Sequence, residues 1–217
     1  MQPERRRKMM QLQAAIDYRT LGEALDLMEK IHPYVDIVEI GTMLGLCEGF
    51  HALTEMKKRY PRLKVLADAK LVDGGYDIAS LAYDAGADIV TTIGMTNNET
   101  CRGVVRAAHE RGKEAMVDMI GVSNLAERVR ELDEMGFDYI LVHTAHDMLN
   151  CISAPLDALK VIQENVCRAK AGISGGITVG QMPEIAAAHP DWVVVGSALY
   201  QAKDPYETAR ALKAFMK

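Results

Sequence analysis

Cysteine, aromatic residues and long apolar runs are all scarce in this chain, and each scarcity excludes a class of protein. The 217 residues include four cysteines, Cys47, Cys101, Cys151 and Cys167, far apart, with no C-x-x-C pair among them. Neither a disulfide framework nor a zinc ribbon is expected, and the thiols are read as reduced in a cytoplasm. Aromatics make up 6% and the net charge is −5, which leaves neither base-stacking platforms nor a basic field, so no nucleic acid and no membrane surface is expected as a partner. No stretch approaches the roughly 18 uninterrupted apolar residues of a membrane span. The opening MQPERRRK is basic but continues into Met-Met-Gln-Leu-Gln, so residues 1–9 read as a solvated tail and not as a secretory signal. The remainder, 49% apolar and 25% charged, has the balance of a soluble globular domain.

What the sequence does have is a repeat. DIVEIGT, DIVTTIGMT, DYILVHT and DWVVVGS begin at Asp36, Asp88, Asp138 and Asp191, at intervals of 52, 50 and 53 residues. Between them lie LQAAID, KVLAD, EAMVD and AKAGIS, ending at Asp17, Asp68, Asp118 and Ser174. Continuous apolar runs of this length suit strands buried on both faces. The intervening stretches carry helical stripes, such as Leu21, Ala24, Leu25, Met28 and Ile31 after a Thr20–Glu23 capping box, and Leu125, Val129, Leu132 and Met135 after a Ser123 cap. Asp204-Pro205-Tyr206-Glu207 opens a closing helix. Eight alternations predict an α/β fold, a single-domain (β/α)8 TIM barrel over 10–217. A doubly wound open sheet would not require the fourfold period, and no G-x-G-x-x-G follows the first strand.

Barrel chemistry collects where strands end. Those ends bring Asp17, Glu39, Asp68 with Lys70, Thr92 to Gly94, Asp118, His143, Ser174-Gly175-Gly176 and Gly196-Ser197 to one mouth. Several carboxylates around a buried opening need pairing or a cation. Carboxylate oxygens suit Mg²⁺, which keeps positions open for substrate oxygens, and Glu39 and Asp68 are the expected ligands. Two residues apart on one strand, Asp68 and Lys70 should point to the same side, making Lys70 a fixed positive charge beside the metal. His143 is the candidate proton carrier, with His146 and Asp147 in the following loop. Gly175, Gly176, Gly196 and Ser197 follow the seventh and eighth strands, where barrels cradle phosphate, so a phosphorylated small molecule is the expected substrate.

These residues resemble the orotidine-monophosphate-decarboxylase superfamily, whose D-x-K-x-x-D signature stands here as Asp68-Ala69-Lys70-Leu71-Val72-Asp73. VEIGT, VLADAK, VDMIGV, VHTAHD, GISGGI and VVVGSAL are similar to the branch of 3-hexulose-6-phosphate synthases and 3-keto-L-gulonate-6-phosphate decarboxylases. The resemblance implies a Mg²⁺-stabilised 1,2-enediolate of a pentulose 5-phosphate, formed by proton removal in the synthase and by loss of CO₂ in the decarboxylase. It implies Mg²⁺ on Glu39 and Asp68, Asp17 on substrate or the metal's waters, Lys70 on the enediolate oxygen, and proton transfer at His143. Asp118, His146 and Ser174 would line the substrate. Asp73 would reach a neighbouring subunit's site, giving a homodimer with shared active sites.

Within the branch, Asp118 and Thr144 match the synthase pattern, where decarboxylases carry Glu and Arg. His146 matches neither. The expected function is therefore an aldehyde-lyase condensing D-ribulose 5-phosphate with formaldehyde. The carboxy-lyase is the alternative, and a non-catalytic sugar-phosphate-binding barrel is the reading from another class.

Overall fold

Each of the eight apolar runs forms a strand: β1 (Gln11–Ile16), β2 (Ile37–Ile40), β3 (Lys64–Leu71), β4 (Ile89–Ile93), β5 (Glu114–Asp118), β6 (Tyr139–His143), β7 (Lys170–Ser174) and β8 (Trp192–Val195). The computed structural model describes residues 9–148 and 154–216. It closes the strands in chain order into a parallel barrel, with β8 paired back onto β1. Around them, among the described residues, run α1 (Leu21–Ile31), α2 (Thr42–Glu48), α3 (His51–Arg59), α4 (Gly75–Asp84), α5 (Asn98–His109), α6 (Leu125–Met135), α7 (Leu156–Asn165), α8 (Met182–Ala187), α9 (Ser197–Tyr200) and α10 (Pro205–Lys213). This is the single-domain (β/α)8 barrel that the period predicts. Residues 1–8 of the expected tail, and Cys151, lie outside the described residues; Cys47, Cys101 and Cys167 are free thiols.

The period has a physical cause at the N-terminal end of the barrel. The Asp that precedes each even-numbered strand donates its backbone N–H to the second residue of the strand before, and its carboxylate accepts that residue's N–H. The two distances are 2.9 and 2.8 Å for Asp36 with Leu12, and 2.7 and 3.0 Å for Asp88 with Val65. They are 3.0 and 2.9 Å for Asp138 with Ala115, and 2.8 and 2.7 Å for Asp191 with Ala171. A short carboxylate thus supplies the acceptor that a longer neighbouring strand would have offered.

Inside, Ile37, Leu66, Ile89, Met116, Leu141 and Val194 pack with Tyr139 and Trp192, whose rings meet edge to face at 5.0 Å. Gly172 makes room for the indole, because a Cβ there would lie 2.3 Å from it. This apolar plug fills the barrel below its C-terminal mouth. A larger core lies between strands and helices.

The helix starts follow the sequence in two of three places. Thr20 accepts from the Glu23 N–H at 3.3 Å and Asp204 from the Glu207 N–H at 3.1 Å. Ser123, however, is not a cap: α6 begins at Leu125, so the N-cap position falls on Asn124, whose amide bonds the Glu127 carboxylate and not a backbone N–H.

Candidate active site

A cavity of about 500 Å³ at the C-terminal ends of the strands takes in every expected site residue except Asp73 and the end of β4, Thr92 to Gly94. Asp73 is exposed in the turn after β3, outside its own chain's cavity.

Asp68 and Lys70 do share a side, but a regular strand is not what brings them together. Pairing with β4 runs Leu66 to Ile89 and Ala67 to Val90, then resumes at Leu71 with Thr92, so β3 bulges between Ala67 and Leu71. Within the bulge Lys70 has φ 44°, a left-handed conformation that costs a non-glycine residue energy. Its N–H donates to Thr91 Oγ1 at 3.0 Å, while its ammonium donates to Thr42 Oγ1 at 2.9 Å and pairs with Asp68. Asp68 accepts from Thr91 Oγ1 at 3.0 Å on one oxygen and from Thr42 Oγ1 at 2.7 Å on the other. Burial alone would lower the Lys70 pKa, but Asp68, with Glu39 and Asp118, outweighs it and holds the ammonium above its ordinary value.

Glu39 lies deeper and is buried. Its Oε2 accepts from Gln13 Nε2 at 2.5 Å. Burial first, and the nearby Asp68 charge second, push its carboxyl up to about 8, against the opposing pull of Lys70 and Gln13. Two carboxylates that resist being charged together, in an oxygen-only donor set, fit a divalent cation of the Mg²⁺ kind. Among the described residues no three His, Cys, Asp or Glu side chains close a metal cage. Glu39 and Asp68 are the residues that would hold the ion.

On the far side, His143 Nδ1 lies 2.7 Å from Asp118 Oδ2, and Asp118 also accepts the Ile120 N–H at 2.9 Å. An ionised carboxylate only accepts, so Nδ1 carries the proton, and in the neutral ring Nε2 is the nitrogen with the lone pair. Gly175 and Gly176 turn at φ 110° and 63°. A Cβ on Gly175 would strike Thr144 at 2.7 Å, so only glycine lets this loop lie against the end of β6. Gly196 and Ser197 lead into α9, which is tied to the loop after β1 by Tyr18 donating to the Tyr200 carbonyl at 2.8 Å. Asp17 sits at the rim, where Gly41 must lack a side chain because a Cβ would fall 2.3 Å from the Asp17 carboxylate.

Three residues of the site escape the sequence reading. Thr91, not Thr92, faces the cavity; Thr92 turns outward and donates to the Leu71 carbonyl at 2.7 Å. Thr42 follows the glycine of VEIGT without any charge to mark it. Gln13 is a polar residue inside the apolar run LQAAID, and that anomaly is the signal that would have found it.

The sequence profile described as the orotidine 5'-phosphate decarboxylase / HUMPS family matches residues 10–212. A 3-hexulose-6-phosphate synthase of Bacillus subtilis strain 168 is 42% identical over 205 residues, 94% of this chain and 97% of that protein. The crystal structure of a 3-hexulose-6-phosphate synthase from Salmonella typhimurium superposes with a TM-score of 0.93 at 42% identity, covering 95% of this chain and 98% of the other. A 3-keto-L-gulonate-6-phosphate decarboxylase from Vibrio cholerae shares the fold at a TM-score of 0.83 and 23% identity, covering 96% and 98%. This chain belongs to the orotidine 5'-phosphate decarboxylase / HUMPS family.

Proposed function

We propose that this protein is a 3-hexulose-6-phosphate synthase, an aldehyde-lyase that joins D-ribulose 5-phosphate to formaldehyde with Mg²⁺ on Glu39 and Asp68. The observation that carries this reading is one cavity in which an oxygen-only carboxylate pair and the Lys70 ammonium stand with an imidazole oriented by Asp118. Identity of 42% to synthases over nearly the whole chain supports the choice of reaction.

Bound Mg²⁺ would supply Lewis-acid stabilisation of negative charge on the ketose oxygens. His143 Nε2, the free lone pair of an imidazole whose other nitrogen is held by Asp118, takes the C1 proton of ribulose 5-phosphate. The Lys70 ammonium, fixed in the bulge, stands against the enediolate oxygen. C1 then forms the new bond to the formaldehyde carbon, and the proton held at His143 neutralises the resulting alkoxide. Backbone N–H groups of Gly175, Gly176, Gly196 and Ser197 receive the phosphate, while Asp17, Ser174 and His146 meet the sugar.

The proposal includes a homodimer acting in the cytoplasm. Asp73 lies outside its own cavity, Leu46 is exposed at the cavity edge, and Val72 and Met95 are exposed in the loops after β3 and β4, an arrangement suited to contact with a second copy. Light scattering on the purified chain should give twice the chain mass.

The deciding experiment measures formaldehyde consumption with ribulose 5-phosphate, and CO₂ release from 3-keto-L-gulonate 6-phosphate, on one preparation with and without Mg²⁺. A higher kcat/KM for the aldol reaction, abolished by chelation, is expected. A higher value for CO₂ release would make the chain a decarboxylase.

A further inference from the structure

Gln13 sits in the middle of β1 and is 1% exposed, in the barrel interior beneath the mouth. Its register partner on β2 is Ile37, and Ile37, Leu66 and Met116 belong to the apolar plug. In such a layer an amide is a poor choice for stability, since each of its polar atoms needs a partner once water is excluded. Only half of it finds one. The Nε2 donates to Glu39 Oε2 at 2.5 Å, whereas the buried Oε1 has no hydrogen-bond partner among the described residues. The Nε2 faces the carboxylate, the orientation that a cation-bound and therefore ionised Glu39 requires, because an ionised carboxylate only accepts. The barrel therefore keeps an amide whose oxygen has no protein partner among the described residues, and its N–H meets one carboxylate oxygen from below.

We propose that Gln13 is a positioning residue for the metal ligand Glu39: its amide engages Oε2 and fixes the carboxylate's rotation, so that Oε1 is the oxygen presented to the cation in the mouth. This rests on the reading of Glu39 as a ligand. Residues that orient ligands in this way change metal affinity by about 10- to 100-fold when removed. Gln13 contacts the ligand Glu39 and carries no proton or bond of the reaction, so its effect falls mainly on occupancy: the apparent KM for Mg²⁺ rises by more than kcat at saturating Mg²⁺ falls.

The test is Mn²⁺ binding to the full-length enzyme by electron paramagnetic resonance, comparing the parent with Gln13→Met, which keeps the length of the side chain but not the donor. Thermal unfolding of the metal-free proteins is followed in parallel. A folded Gln13→Met protein with 10- to 100-fold weaker Mn²⁺ binding is expected, and Gln13→Asn, whose amide falls one methylene short, should weaken it as well. Parent-like Mn²⁺ affinity in folded Gln13→Met overturns the proposal. So does failure of both variants to fold, which would mark Gln13 as structural. If the parent itself binds no Mn²⁺ at Glu39, it is the metal-ligand reading that fails.

Discussion

Both mouths of this barrel carry recurring acidic positions, and the fold treats the two sets in opposite ways. At the N-terminal end Asp36, Asp88, Asp138 and Asp191 each accept a backbone N–H from the neighbouring strand. Lysines add positive charge at two of the four, Lys57 at 2.7 Å and Lys113 at 2.6 Å on Asp88 and Lys213 at 2.5 Å on Asp36, and His109 Nε2 lies 3.2 Å from Asp138. At the C-terminal end Glu39, Asp68 and Asp118 are held by side chains from other strands and loops, with Lys70 as the nearby cation. The first set is satisfied by the protein and builds the sheet. The second is left short of positive charge, and that shortage is what a metal and a sugar can answer.

Substitutions at the two ends should therefore separate activity from stability. The largest effect is expected from Lys70→Ala, which should lower kcat on the order of 10³-fold while the circular dichroism spectrum stays that of the parent; a loss below tenfold would remove Lys70 from the chemistry. Asp118→Asn releases the His143 tautomer and should lower kcat on the order of 10²-fold, again with a folded protein. Asp88→Asn, at the opposite end, should leave kcat untouched and lower stability by about 2 kcal/mol, seen as a fall in Tm of about 4–8 °C. If Asp88→Asn impaired turnover as Asp118→Asn does, the division between the two mouths would be wrong.

The two ends should also titrate in opposite directions. Burial alone would raise the Asp88 pKa, but Lys113 and Lys57 outweigh it and hold it below its ordinary 3.8, so its contribution is present above that value and is lost as pH falls through the folded pKa. Glu39 is raised from 4.5 to about 8. The unfolded chain ionises it freely across that window while the folded chain resists, so the stability associated with the neutral form is present below 4.5 and lost as pH rises towards 8. Thermal unfolding of the metal-free protein should show this decline from the acid side upward, and saturating Mg²⁺, which favours the ionised carboxylate, should flatten it. A decline that Glu39→Gln leaves intact would assign it elsewhere.

How far this division can be read from sequence differs from residue to residue. The 50- to 53-residue spacing of aspartates and the apolar runs between them carry the whole barrel, because closed parallel strands need continuous burial and the aspartates need partners one strand away. Charged site residues were legible for the same reason: a carboxylate or ammonium at the end of a buried strand stands out against its neighbours. The β3 bulge was not, since nothing local marks Lys70 for a left-handed backbone; its N–H in that conformation meets Thr91 on the next strand. Strand parity is equally silent, and so Thr92 stood in for Thr91. The Ser123 cap failed by one residue, within the ordinary uncertainty of a helix start.

The most direct test is a crystal of this protein soaked with Mn²⁺ and examined by anomalous diffraction. A single peak between the Glu39 and Asp68 carboxylates, about 2.1–2.3 Å from an oxygen of each by the metal–oxygen distances of hard divalent ions, is the predicted result. No peak there, with the two carboxylates engaged only by Gln13, Thr42, Thr91 and Lys70, would contradict the account.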